Sequence, residues 1–130
     1  MNTGQVDRGV YTFHQTIVAL VRRDGRDLTA RQLGVLLTSY LDIEAQTVRG
    51  LAANLNISKP AITRTLDRLS EFNLVQRKAD LLDRRSILVQ RTIAGTGFLR
   101  DLRKIIATAH IDAQVIPNSA SSATSSIEAA

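Results

Sequence analysis

The chain of 130 residues has no cysteine, no tryptophan and only two prolines. Without cysteine it cannot form a disulfide framework, a thiolate metal site or a thiol-based redox sensor. It also lacks a long apolar run, since the longest one near the start, residues 17–21, is far too short to span a bilayer. A mean hydropathy of −0.03 likewise argues against membrane insertion. Because no secretory signal is visible either, we expect a cytoplasmic protein with no membrane partner.

Residues suited to catalysis or metal binding are scarce. His14 and His110 are the only histidines, they lie far apart in sequence, and no carboxylates with ligand spacing accompany either one. Gly95-Thr96-Gly97 lacks the lysine and the strand–loop frame of a phosphate-binding loop. We therefore predict that the chain is not an enzyme and has no catalytic residues, no metal site and no cofactor.

The positive charge is concentrated in one segment. The formal net charge is +5 at pH 7, and the sequence pI is about 10.4. Residues 59–91 contain eight basic and four acidic residues, whereas the remainder contains nine basic and eight acidic ones. A local excess of this kind is typical of a surface that faces an anionic polymer. The alternative is an ordinary solvated face.

Apolar side chains recur at helical spacing along much of the chain. The pattern predicts helices over residues 9–23, 29–41, 47–56, 58–73 and 96–113. In the second of these we expect five residues to point inward: Leu33, Leu36, Leu37, Tyr40 and Leu41. Between the last two helices the period changes to two, which predicts strands over residues 74–78 and 86–91. From Pro117 the sequence is rich in Ser and Ala, so we expect one domain over residues 1–116 and a disordered tail over residues 117–130.

The segment from residue 47 to residue 91 predicts a winged helix-turn-helix, because two short helices are followed by a two-stranded ribbon. Asn56 tolerates the left-handed conformation that ends a helix sharply, and Pro60 falls in the first turn of the second helix. On the outer face of that helix we expect short and cationic side chains, which can enter a DNA major groove. The predicted fold class is mainly α with a small β-wing (α+β), flanked by N- and C-terminal dimerisation helices.

The predicted site residues form four groups. On the second helix they are Ser58, Lys59, Pro60, Ala61, Thr63, Arg64 and Arg68, and on the first helix they are Thr47 and Arg49. On the wing they are Arg77, Lys78, Asp83, Arg84 and Arg85. The candidates for pairing two subunits are Phe13, Ile17, Leu20, Leu102, Ile105 and Ile106.

Three stretches of the sequence resemble the MarR family of bacterial transcription regulators. They are LTARQLGVLL (28–37), TVRGLAANLNISKPAITRTLDRLSEFNLVQRKAD (47–80) and DRRSILVQRTIAG (83–95). The most specific piece is Asp80 with Asp-Arg-Arg-Ser at 83–86, followed by an alternating strand and Thr92-x-x-Gly95. The resemblance covers residues from about 10 to 110.

The resemblance implies a homodimer that binds double-stranded DNA at a pseudo-palindromic operator, usually as a repressor, at the bacterial nucleoid. It also implies that Arg85 enters the minor groove while Asp83 holds its guanidinium in place; Arg84 would then contact a phosphate. A carboxylate two residues away can pre-set an arginine in this way, and narrow minor grooves favour arginine. The alternative is an exposed ion pair of negligible energy. Because the family often binds small aromatic acids, we expect a small aromatic or phenolic effector.

The sequence departs from the family pattern at several positions. Leu81 stands where proline is common, Arg91 where leucine is usual and Ile93 where an acid is usual, so the base of the wing is expected to pack differently. Family members usually end in a second long helix, whereas here only IDAQVI precedes the Ser/Ala-rich tail. Two other functions stay open: a winged helix that binds proteins, and a nucleoid- or replication-associated DNA binder of low specificity.

Overall fold

The computed structural model describes residues 7–25 and 27–116. Over these residues the chain forms five helices and three strands: α1 (Arg8–Arg22), α2 (Ala30–Leu41), β1 (Gln46–Thr47), α3 (Val48–Leu55), α4 (Lys59–Glu71), β2 (Val75–Ala79), β3 (Ile87–Arg91) and α5 (Ile93–Val115). This order confirms the predicted winged helix-turn-helix of mainly α character. The predicted tail, residues 117–130, lies outside the described residues.

Side-chain oxygens mark the start of the helices in the central part of the chain. Thr29 accepts a hydrogen bond from the N–H of Gln32 at 3.1 Å, and the Gln32 side chain accepts one from the N–H of Thr29 at 2.9 Å, which together form a capping box. Thr47 caps α3 and Ser58 caps α4 in the same manner. Helix α3 ends at Asn56, whose φ of 53° and ψ of 47° are left-handed. Of these short-range features, the left-handed conformation of Asn56 was predicted from the sequence.

Residues 27–100 form one of two compact units, with its own apolar core. The largest fully buried side chains come from α2, α3 and α4: Val35, Leu36, Leu51, Ile62, Leu66 and Leu69. Leu41 was predicted to point inward, but 65% of it is exposed. The buried face of α2 instead runs through Val35, Leu36, Ser39 and Tyr40. The helix ends at Leu41, where the backbone becomes extended at Asp42.

The wing belongs to a three-stranded antiparallel sheet with the order β1-β3-β2. In the β2–β3 ribbon, Val75 pairs with Arg91 and Ala79 pairs with Ile87. The third strand, β1, pairs its two residues with the other edge of β3. The sequence predicted only the ribbon, because two residues are too few to show a period of two.

The hydroxyl of Tyr40 joins the base of the wing to α2. It donates a hydrogen bond to the carbonyl of Leu74 at 2.6 Å and accepts one from the N–H of Thr92 at 3.0 Å. The Thr92 hydroxyl donates to the carbonyl of Asn73 at 2.7 Å and accepts from the N–H of Gly95 at 2.9 Å. A Cβ on Gly95 would collide with the Tyr40 ring and the Leu74 carbonyl. Only glycine therefore permits this close approach.

Residues 7–25 and 101–116 belong to the second compact unit. Its helices run antiparallel: the Arg8 Nε, at the start of α1, donates to the carbonyl of Ala113 near the end of α5 at 3.2 Å. At the other end, Arg23 forms an ion pair with Asp101 at 3.1 Å. Thr16 and Ala113 are buried in this unit.

Candidate nucleic-acid interface

Helix α4 presents one face to the core and the other to solvent. Its buried stripe consists of Ala61, Ile62, Thr65, Leu66 and Leu69. The prediction that Ala61 lies on the outer face was wrong, because only 7% of it is exposed. Its carbonyl accepts a hydrogen bond from the Thr65 hydroxyl at 2.9 Å, so these two small residues extend the buried face by one helical turn.

The exposed residues at the N-terminal half of α4 match the remaining part of the prediction. Ser58, Lys59, Pro60, Thr63 and Arg64 are all exposed. Ser58 has a second role, since its hydroxyl accepts a hydrogen bond from the N–H of Ala61 at 3.3 Å. Among the described residues, Arg64 has no ion-pair partner, so its guanidinium is available to a ligand. A hydroxyl, a methyl-bearing side chain and a cation at a helix N-terminus suit a DNA groove.

Two of the predicted arginines are held by acidic side chains. Arg68 forms an ion pair with Glu71 at 2.8 Å, and its guanidinium lies over the Phe72 ring at 5.1 Å from the centroid. Arg77 on β2 forms an ion pair with Asp67 on α4 at 2.5 Å. The second pair ties the wing to α4. Both arginines are thus less free to reach DNA than Arg64.

The wing tip, residues 80–86, consists of two successive Asx turns. In the first, the Asp80 carboxylate accepts a hydrogen bond from the N–H of Leu82 at 2.9 Å. In the second, the Asp83 carboxylate accepts one from the N–H of Arg85 at 3.1 Å. The N–H of Ser86 also donates to the carbonyl of Asp83 at 2.9 Å, which closes a β-turn. The repeat Asp-Leu-Leu, Asp-Arg-Arg is therefore structural: each aspartate fixes a turn that displays the next two side chains.

The contact between Asp83 and Arg85 differs from the one that the sequence implied. The Asp83 carboxylate binds the backbone N–H of Arg85, and no ion pair joins the two side chains in the described structure. In the free chain, Asp83 thus sets the position of the Arg85 backbone, whereas the guanidinium of Arg85 is exposed. Arg84 occupies the other central position of the same turn and is exposed as well. The coupling of the two residues on DNA stays a prediction.

The remaining predicted contacts lie on β1, α3 and β2. The Thr47 hydroxyl accepts a hydrogen bond from the N–H of Gly50 at 2.8 Å and is only partly exposed. Arg49 is exposed in the first turn of α3, and Lys78 is exposed on β2, where it pairs with Leu88 of β3. Arg49 and Lys78 are therefore accessible cations on α3 and β2.

The candidates for subunit pairing divide into three groups. Phe13 is 67% and Ile106 is 42% exposed, as an interface residue requires. Ile17, Leu20 and Ile105 are partly buried. Leu102 is only 5% exposed, so its prediction as a pairing residue was wrong: it is packed within the chain itself. Five exposed apolar residues on α1 and α5 were not among the predicted pairing candidates: Val10, Val21, Ile93, Ile111 and Val115.

The second unit contains an open cleft of about 280 Å³ between α1 and α5. Its lining is Gln15, Val18, Ala19, Arg22, Lys104, Ile105, Thr108, Ala109 and Asp112. None of the aromatic residues of the chain contributes to it. In the part of the chain that is described, no cluster of His, Asp and Glu is suited to a metal ion. None of the described helices combines the length and apolarity needed to cross a membrane.

Comparisons with known proteins agree with this geometry. Residues 28–87 match the sequence model of the MarR family. The structure of the transcriptional repressor CouR bound to a 23-mer DNA duplex superimposes with a TM-score of 0.62 and 29% identity, over 80% of this chain and 70% of that one. Wild-type MarR (apo form) from E. coli superimposes with a TM-score of 0.64 and 23% identity, over 93% of this chain and 86% of the MarR chain. YusO from Bacillus subtilis superimposes with a TM-score of 0.61 and 22% identity over 75% of this chain. The match spans 66% of the YusO chain, which is just under two thirds of its length. No curated protein sequence matches.

The exposed face of α4, the sheet and the Asx turns at its tip define a winged helix-turn-helix protein of the DNA-binding class. Within that class, the match over residues 28–87, a little under half of the chain, is to the MarR family.

Proposed function

We propose that the chain is a sequence-specific transcription repressor that binds a pseudo-palindromic operator as a homodimer. One observation carries the proposal: the unit of residues 27–100 displays two sets of unpaired cations on separate elements. Arg64 lies on α4, while Arg84 and Arg85 lie on the wing tip. A helix that fits the major groove and a ribbon that fits the minor groove together read more sequence than either does alone.

The proposed contacts follow from these positions. Thr63 and Arg64 face base edges in the major groove, and Ser58, Lys59 and Arg49 bind phosphates. Arg85 enters the minor groove and Arg84 contacts its rim. The repressor role is supported by the likeness to CouR, which is a transcriptional repressor bound to DNA in the structure that matches here.

Dimer formation is supported by the apolar side chains that the second unit leaves exposed. Val10, Phe13 and Val21 on α1 are each more than 60% exposed, and so are Ile111 and Val115 on α5. Large apolar side chains at this density indicate an interface. One α4 per subunit would then place two half-sites about one helical turn apart, ~10 bp, or a small multiple of it.

A small aromatic or phenolic effector is also proposed. The support is that CouR from Rhodococcus jostii RHA1 has a structure with p-coumaroyl-CoA, at 29% identity to this chain. The cleft between α1 and α5 carries Arg22 and Lys104, which could bind the acidic group of such a molecule. This part of the proposal is tested by adding p-coumarate or its CoA ester to the complex with DNA and measuring release.

The decisive experiment is selection of bound duplexes from random DNA, followed by sedimentation of the complex. We expect an enriched inverted repeat that binds two chains. Arg64→Ala should lose about 1–3 kcal/mol of binding free energy and relax specificity at one position of the repeat. An equal loss on every sequence would place Arg64 on a phosphate instead. A monomer that binds DNA one-to-one would contradict the dimer.

A failed selection would separate the remaining functions. If the wild-type chain binds random and selected duplexes equally well, it is a DNA binder of low specificity. If it binds no duplex while it is fully folded, the winged helix serves as a protein-binding module.

A further inference from the structure

The first Asx turn of the wing tip displays two large apolar side chains in full contact with solvent. Leu81 is 86% exposed and Leu82 is 98% exposed. The N–H of Leu82 is bound by the Asp80 carboxylate, and the N–H of Asp80 donates to the carbonyl of Ser86 at 3.0 Å. The two leucines are therefore held out by an ordered turn. A single exposed leucine is ordinary, but an adjacent pair at the tip of an ordered ribbon indicates a contact with another molecule.

We propose that Leu81 and Leu82 enter the DNA minor groove beside Arg85 and act as an apolar wedge that opens a base step and bends the duplex. The inference rests on the proposed DNA-binding function and adds to it. Apolar side chains that enter the minor groove partly unstack a base step and kink the duplex away from the protein. The unstacking cost is offset by the additional surface that a bent duplex brings to the protein.

The neighbouring arginines identify DNA as the occupant. Leu82 is separated from Arg84 by one residue, and both are displayed by the same seven-residue tip. Any surface that buries the leucines must also accept two guanidinium groups that have no ion-pair partners among the described residues. A minor groove provides both environments, because its walls of sugars are apolar and its rim consists of phosphates.

The wedge also implies a form of sequence selectivity that needs no hydrogen bond to a base. Pyrimidine–purine steps such as TA and CA/TG unstack most easily, so they are the cheapest to deform. We expect selected duplexes to contain such a step at the position of each wing, next to the A·T-rich stretch that favours Arg85.

The experiment compares the variant Leu81→Ala/Leu82→Ala with the wild-type chain on one duplex, the best sequence recovered by selection with the wild type. Dyes on the two duplex ends report bending by energy transfer. We expect the variant to bind about tenfold more weakly, as partial burial of two leucines implies, and to lose most of the bend. The loss should be the same factor at every salt concentration, because no charge is removed.

Two controls accompany the variant. Ile93→Ala removes an equally exposed apolar side chain, 94% accessible, at the start of α5 and should change neither affinity nor bend. Arg85→Ala should weaken binding with a smaller salt dependence. Urea unfolding of all variants should coincide with that of the wild type, since no packed side chain is altered.

Three results overturn the wedge. They are unchanged affinity and bend in the double leucine variant, a loss that varies with salt as in Arg85→Ala, or an equal loss in Ile93→Ala. If the wild type selects no duplex at all, the proposed DNA-binding function itself is contradicted. If the wild type binds and Arg85→Ala weakens it while the leucine variant does not, only the wedge fails.

Discussion

Helix α4 and the wing tip both present arginines to solvent, yet different forces hold them in place. Helix α4 buries five residues, and three of them, Ile62, Leu66 and Leu69, are fully buried in the core. The wing tip has five consecutive exposed residues, 81–85, and its order comes from local hydrogen bonds between aspartates and backbone N–H groups. One surface is therefore positioned by apolar burial and the other by turn chemistry.

This difference separates the stability of the protein from its ability to bind DNA. A change in the buried face of α4 must alter folding, because the hydrophobic contribution there is about 25 cal/mol for each Å² removed from water. A change in the tip should leave folding intact and act only on binding. The four predictions below test this separation, from the largest expected effect to the smallest.

Leu66→Ala should lower the free energy of unfolding by about 2–5 kcal/mol, because it leaves a cavity at a side chain that is fully buried. Urea denaturation measures the change. Leu82→Ala is the matched control, since the same truncation at a 98% exposed position should stay within about 0.5 kcal/mol of the wild type. Similar losses in both variants would show that the tip is packed in solution.

Arg85→Ala should lose about 1.5–3 kcal/mol of DNA-binding free energy with no loss of stability, as expected for a charge-assisted contact. Asp83→Ala should also weaken binding, although it removes an acid, because the N–H of Arg85 loses its acceptor. The double variant should bind almost as well as Arg85→Ala alone, which is the sign of a coupled pair.

DNA titrations at one salt concentration measure the affinities of the wild type, the two single variants and the double variant. Asp24→Ala provides the control for charge, since it removes an exposed acid from the other unit and should bind slightly more tightly than the wild type. If Asp83→Ala resembles Asp24→Ala, the Asx turn has no role in DNA binding.

Substitutions of Ser58 should separate its contribution to folding stability from its contribution to DNA binding. Ser58→Ala removes the N-cap of α4 and should lower the free energy of unfolding by about 1 kcal/mol. Ser58→Asp keeps the cap and the stability but places a negative charge where a phosphate is proposed, so it should weaken DNA binding. Thermal unfolding and DNA titration measure both properties, and a Ser58→Asp variant that loses stability or keeps the wild-type DNA affinity would refute the assignment.

Asp67→Asn is expected to have the smallest effect. The Arg77–Asp67 pair is partly exposed, with 29% and 53% of the side chains accessible, so its loss should change stability by less than about 1 kcal/mol. Removal of the acid releases Arg77 and should tighten DNA binding, more so at low salt. Weaker binding would instead mean that the pair is needed to place the wing against α4.

The parts of the fold that sequence could predict are those with a short-range cause. The caps at Thr29, Thr47 and Ser58, and the left-handed Asn56, depend on hydrogen bonds or backbone preferences within three residues, so the residue types alone indicate them. Strand β1 could not be predicted in this way. Its two residues become a strand only because the edge of β3 is available, and that edge is a property of the tertiary structure.

The errors within the site have the same origin. Ala61 was assigned to the outer face by its place on a helical wheel, and Leu102 was named as a pairing candidate because it is apolar, but the width of a buried face depends on the neighbouring elements. For Asp83, the sequence indicated a partner at Arg85 and could not distinguish the backbone N–H from the guanidinium. Leu81 was noted only as a departure from the family pattern, because exposure at a turn cannot be read from residue types.

The close approach of Gly95 to Tyr40 constrains how this protein can diverge. A single step from glycine to alanine at position 95 is blocked, because the new methyl group would overlap the phenol and the carbonyl of Leu74. Exchange of Tyr40 for phenylalanine would not permit alanine at position 95, since the ring carbon that bears the hydroxyl lies 2.5 Å from the added Cβ. A smaller side chain at position 40 would not suffice either, because the backbone carbonyl of Leu74 would still overlap the added Cβ. In descendants of this gene, glycine at 95 should therefore persist whatever side chain occupies position 40.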